Sequence, residues 1–114
     1  DETGNPATFS GFLGALWRCH DYFHANGCRA SDHGIEVPYG HEVKKSRAEQ
    51  IFGHAMDGEL LSDDETSDFM AYMMDRFIDM DRKRNWVTQI HFAAVRNVNK
   101  PLFKKHGADS GGDV

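Results

Sequence analysis

Residues 86–99, WVTQIHFAAVRNVN (Trp86 to Asn99), decide how the rest of the chain is read. Val87, Ile90, Phe92, Ala93, Ala94 and Val95 are apolar, and the β-branched and aromatic share predicts a buried strand over Trp86–Val95 rather than a helix. His91 stands inside that run and Arg96 at its C-terminal end, with Asn97 and Asn99 following. A buried imidazole needs a partner. It can serve as a metal ligand, a general base or an electrophile, and the Arg96 fork suits a carboxylate or phosphate. A satisfied core histidine and a structural ion pair remain the alternative. Strands that carry polar groups to their C-terminal edge are how α/β enzymes build sites.

Working outward, Phe69, Met70, Met73, Met74, Phe77 and Ile78 recur at helical spacing before the strand and predict a helix over Asp63–Lys83. Ser62 and Glu65 make its capping box, and Arg82, Lys83 and Arg84 suit the negative end of its dipole. Earlier still, Ser46 to Glu49 reads as a second capping box, opening a short helix through Met56. A strand is expected over Cys28–Ser31, ending in Asp32, His33 and Gly34. Phe12, Leu13, Leu16, Trp17, His20 and Phe23 predict a first helix over Gly11–Ala25, with Ser10 as its cap and Asn26-Gly27 as its stop. Residues 1–9 read as a loose start and 107–114 as a loose end, with one further helix beginning near Lys100. Strands alternating with helices imply an α/β class with about two parallel strands, too few for a closed parallel fold. The chain therefore reads as a single piece of something longer, consistent with a first residue other than Met.

The composition narrows the function. A formal net charge of −5 argues against a general nucleic-acid binder but leaves room for a local cationic pocket. No apolar run approaches the roughly 18 residues of a membrane span, and the N-terminus is not a signal peptide. Two cysteines, Cys19 and Cys28, make no disulfide framework and point to a reducing cytoplasm. Open parallel strands in such a piece favour pairing between chains, so a homo-oligomer is expected.

Asp32 and His33 offer a carboxylate and an imidazole at a strand end for acid/base work or for holding a hydroxyl; an Asp–Gly turn is the plainer alternative. His20 and His24 share a helix face at i and i+4, but Asp21 stands where the zincin pattern has Glu, so a structural role is expected. The methionines of the third helix are core packing. Arg82 to Arg84 is a solvated helix end, and Gly111-Gly112 lacks the lysine of a phosphate loop.

Three stretches together resemble one family. They are HDYFHANGCRASDHG with the helix before it, IFGHAMDGELLS over Ile51–Ser62, and QIHFAAVRNVN running on to KPLFKKHGADSGGD. They are similar to uronate isomerase, also called glucuronate isomerase, which often reads close to QxHxGALRNNN and GPDTGFDS at the matching places. The resemblance implies a segment of a metal-dependent (β/α)8 barrel of the amidohydrolase superfamily, helix-rich and incomplete as a barrel. It implies interconversion of D-glucuronate with D-fructuronate and of D-galacturonate with D-tagaturonate. Asp32, His91 and Arg96 match family site positions as catalytic residues, with Arg96, Arg29 and His33 as substrate contacts. A uronate sugar is the implied partner, with neither nucleic acid nor membrane. The complete enzyme would hold a divalent metal, zinc being the expectation. This chain has no counterpart of the family's His-x-His or its late-strand Asp, so no metal is expected in it. Phe92, Val95 and Gly112 depart from the family pattern, and the segment by itself is expected to be inactive. The alternative is a non-catalytic, mostly helical interaction module derived from that family.

Overall fold

The computed structural model describes residues 5–92, 95–108 and 110. The elements follow in the order α1 (Phe9–Ala25), β1 (Ala30–Gly34), α2 (Lys45–Met56), α3 (Asp63–Arg84), β2 (Val87–His91) and α4 (Lys100–His106). β1 and β2 form a two-stranded sheet. Its ladder pairs early with early and late with late: Val87 N–H donates to the Arg29 carbonyl and Ile35 N–H to that of His91, so the strands are parallel. The class is helix-rich α/β with two parallel strands, not a closed barrel. No described helix is long and apolar enough to cross a membrane. Two compact units divide the chain. The first holds the described residues up to Ser31 with Tyr39–Thr88, and the second Asp32–Pro38 with the described residues from Gln89 onward.

The first unit is built on α1, α2 and α3. Its core gathers Phe9, Ala48, Tyr72 and Met73, with Phe52 and Phe69 packed against them. Phe9 reads from sequence as the last residue of a loose start, yet it is only 3% exposed and opens α1. The cap is Thr8, not Ser10: the Thr8 hydroxyl accepts from Gly11 N–H at 3.1 Å. Residues 5–8 turn over the helix start so closely that a Cβ on Gly11 would meet the Asn5 carbonyl at 1.8 Å. That contact requires glycine there and seats Phe9 in the core.

α2 begins at Lys45 with no side-chain cap, so the box expected at Ser46 does not form. Ala48 and Ile51, both fully buried, fix the frame of this helix, while the Arg47 guanidinium donates to Asp68 on α3 at 3.1 Å. Tertiary packing thus overrides the local capping signal. The box at Ser62 does form, in both directions: Ser62 Oγ accepts from Glu65 N–H at 3.2 Å, and Glu65 Oε2 accepts from Ser62 N–H at 3.0 Å. α3 ends at Asn85, whose φ of 53° is the left-handed conformation that asparagine tolerates best after glycine. Of the predicted apolar stripe, Met73 and Met74 are buried and Met70 and Ile78 are 40% and 39% exposed.

Both strands depart from their expected bounds. Cys28 N–H still bonds the Phe23 carbonyl, so Cys28 closes α1 and β1 starts only at Ala30. Asp32, His33 and Gly34 consequently lie within β1 rather than after it. β2 ends at His91; of the residues expected to continue it, Ala93 and Ala94 lie outside the described residues. The expected burial is also absent: Val87 is 67% exposed and His91 lies at the surface. With only two strands in the sheet, nothing among the described residues covers those side chains.

Candidate active site

Side chains alternate along a strand, so Asp32 projects from one face of β1 and Ser31 and His33 from the other. In the second unit, the Asp32 face meets β2 at His91. His91 Nδ1 lies 2.7 Å from Asp32 Oδ1, with each side chain 53% exposed. An ionised carboxylate only accepts, so this geometry puts the proton on Nδ1 and leaves Nε2 with its lone pair. Gly34 supports that pose. A Cβ there would stand 3.3 Å from His91 Nε2, so glycine lets the ring lie over β1.

The other sequence candidates are placed differently. Arg96 is exposed in the same unit, just before Asn97, which takes a left-handed φ of 56°. Asn99 is drawn into helix capping: its Oδ1 accepts from Leu102 N–H at 3.1 Å. His33 is half-buried on the strand face opposite Asp32. Arg29 is held at the end of α1, where its guanidinium donates to the carbonyls of His24 at 2.9 Å and Cys28 at 2.6 Å. Those bonds satisfy helix-end acceptors, a structural use of the cation. What the structure brings into contact is Asp32 with His91. The groove of about 440 Å³ beside α3, lined by Tyr39, His41, Tyr72 and Asp75 among others, includes none of the candidates.

Within the first unit a second polar cluster forms that spacing did not reveal as functional. Asp81 is 1% exposed and accepts from three elements. Ser31 Oγ and Thr88 Oγ1 donate to its Oδ2, the latter at 2.7 Å, and His20 Nε2 lies 3.0 Å from its Oδ1. Burial pushes this carboxyl up, but the hydrogen bonds from Ser31, Thr88 and His20 outweigh it and hold it below the usual carboxylate range. A signal was present in the sequence: Asp81 stands seven residues after Met74 and four after Phe77, on the apolar face of α3.

Beside it, Trp86 stacks on His20 with ring centres 3.9 Å apart and donates its indole N–H to His24 Nδ1 at 2.9 Å. The i, i+4 histidines are thus structural, as Asp21 in the place of the zincin Glu led one to expect. Partial burial, then the neighbouring cations Arg29 and Arg84, hold the His24 imidazole below its ordinary value, against Asp21. The folded chain therefore binds fewer protons at this site than the unfolded chain, and stability is lost as pH falls through about 6.5 and below. The thermal midpoint of the chain is expected to fall over that window, and the fall is expected to be smaller in His24→Gln. Parallel midpoint curves for the two proteins between pH 7 and 5 would contradict this. Glu65 and Asp68 are also depressed, mainly by hydrogen bonds from Ser62 and from Arg47 respectively, so a further loss follows as those carboxylates protonate.

Comparison with known proteins supplies the wider context. The model of the family described as glucuronate isomerase matches residues 3–114. The uronate isomerase of Thermotoga maritima is 44% identical over 110 residues, which is 96% of this chain and 24% of that protein. The uronate isomerase of Cellvibrio japonicus is 40% identical over 109 residues, 96% of this chain and 23% of its own length. Among solved structures, the T. maritima uronate isomerase superposes with a TM-score of 0.85 at 44% identity, over 96% of this chain and 24% of that one. The glucuronate isomerase of Caulobacter crescentus gives 0.79 at 26% identity, over 96% and 23%. The chain spans about a quarter of the length of the relatives it matches.

Proposed function

The chain belongs to the glucuronate isomerase family, and from that premise we propose that it is a segment of an aldose–ketose isomerase acting on D-glucuronate or D-galacturonate. The hydrogen bond between Asp32 and His91 carries the reading. The reaction moves a proton between C2 and C1 of the open-chain sugar, converting D-glucuronate to D-fructuronate or D-galacturonate to D-tagaturonate. Asp32 holds the Nδ1 proton of His91 and stabilises the imidazolium when Nε2 takes a second one, so Nε2 is the atom suited to exchange a proton with the substrate. Arg96 supplies the bidentate partner for the uronate carboxylate. No step is assigned to Arg29 or His33.

We assign the divalent metal that the resemblance implies to the complete enzyme rather than to this segment. Among the described residues, no group of three or more His, Cys, Asp or Glu side chains is arranged to hold one. The open parallel strands support a larger sheet of barrel type, completed by chain beyond these residues. Where the 114 residues are made by themselves, the same edges favour pairing between copies. Free Cys19 and Cys28 suit a cytoplasmic location.

The test is a chimera in which this segment replaces its counterpart in the T. maritima uronate isomerase. The chimera is expected to convert D-glucuronate to D-fructuronate, followed by NMR of the sugar, and the 114-residue chain is expected not to. A folded chimera without isomerase activity would contradict the function. Conversion by the isolated chain would contradict its being a partial enzyme.

A further inference from the structure

Asp81 is a buried carboxylate for which the mechanism has no use, and it is bound by three donors from three different elements. Two of them, Ser31 and Thr88, sit on the two strands and share one oxygen, Oδ2. Along a strand the side chains alternate with a period of two. Holding Ser31 on the α3 side therefore sends Asp32 to the opposite face of β1. Holding Thr88 on that side sends His91, three residues on, to the opposite face of β2. A slip of one residue in either strand would send its functional group to the α3 side and part the pair.

We propose that Asp81 is a positioning residue that clamps β1 and β2 through Ser31 and Thr88, and thereby fixes the register in which Asp32 meets His91. His20 supplies the third donor and anchors the clamp to α1. A carboxylate suits this task, since one oxygen accepts from two hydroxyls at once while the other takes the imidazole. The alternative, a carboxylate that merely satisfies buried donors, would leave the His91 ring indifferent to its loss. For its catalytic consequence the proposal rests on the isomerase reading; for the register it does not.

Imidazole ¹H–¹⁵N spectra of the 114-residue chain give the first readout. Asp81→Asn is expected to move the His91 ring signals to the positions they take in Asp32→Asn, with helical circular dichroism retained. Unmoved His91 signals in folded Asp81→Asn would overturn the clamp. If Asp81→Asn loses its helices, the double variant Ser31→Ala with Thr88→Val decides, because it removes only the two strand hydroxyls and keeps His20 on Asp81. Unmoved His91 signals there overturn the clamp equally. In the active chimera, the same double variant is expected to lower kcat by about ten- to a hundredfold with KM nearly unchanged, the loss typical of a displaced catalytic group. Ser31→Thr, which keeps the hydroxyl, is expected to retain most of the rate. A fall in KM-dependent binding alone would overturn the positioning role. A parent chimera that is inactive sinks the isomerase reading, and the ring spectra then still judge the register.

Discussion

Phe9→Ala is expected to destabilise the first unit by about 3–5 kcal/mol, the range for emptying a large aromatic site in a packed core. Phe9 is 3% exposed, and its ring lies 5.4 Å from Phe52, 5.7 Å from Tyr72 and 6.3 Å from Phe69, measured between centres. The rings are tilted by 45–51°, the offset arrangement in which aromatic quadrupoles attract. These neighbours come from α2 and α3, so the one side chain joins all three helices. Removing it strands partners that are themselves held on packed helices and cannot collapse freely into the gap. Against a domain stability of about 5–15 kcal/mol this is a large fraction. Urea titration followed by far-ultraviolet circular dichroism gives the measurement. Phe23→Ala is the control, since Phe23 is 50% exposed and its loss should fall within about 1 kcal/mol. Equal shifts of the two midpoints would show that Phe9 is not the keystone described.

The largest functional effect is expected from Asp32→Asn in the active chimera, a fall in kcat of about 10²–10⁴-fold. Asparagine keeps the shape and one acceptor oxygen but removes the charge that stabilises the imidazolium on His91. Its amide can also turn a donor toward Nδ1 and favour the wrong tautomer. Because both side chains are half-exposed, the substitution should leave the fold intact, and unchanged circular dichroism is part of the expectation. A variant that retains its rate within about twofold would remove Asp32 and His91 from the proposed chemistry. Arg96 is separable from them. Arg96→Lys keeps a cation and loses the fork, so it should raise KM for the uronate more than it lowers kcat.

The helices were largely legible in the sequence, because a 3.6-residue apolar period is a local pattern that survives without neighbours. Asp63–Arg84 lies within one residue of its expected C-terminal bound, and the Ser62 box forms as its residues dictate. The false box at Ser46 shows the limit: two fully buried residues, Ala48 and Ile51, fix α2 more firmly than a surface hydroxyl can. Strand bounds were poorer. Whether Cys28 closes a helix or opens a strand depends on which carbonyl its N–H finds, and composition does not say.

For the site, sequence alone determined the residue types and their family match: Asp32, His91 and Arg96 are named by motif. It also misread His91 as a buried group, since a run of apolar neighbours usually implies a covering layer that the described residues do not supply. Tertiary structure decided which of these side chains touch, and why they can. Asp32 faces His91, and His33 does not, because adjacent residues of a strand point to opposite faces. Which face is which follows from pairing between residues 50 or more apart in the chain, as in the bond from Ser31 to Asp81. A periodicity read along the chain reports a residue's own element; it carries no information on the register between elements, which only contacts across the fold can set.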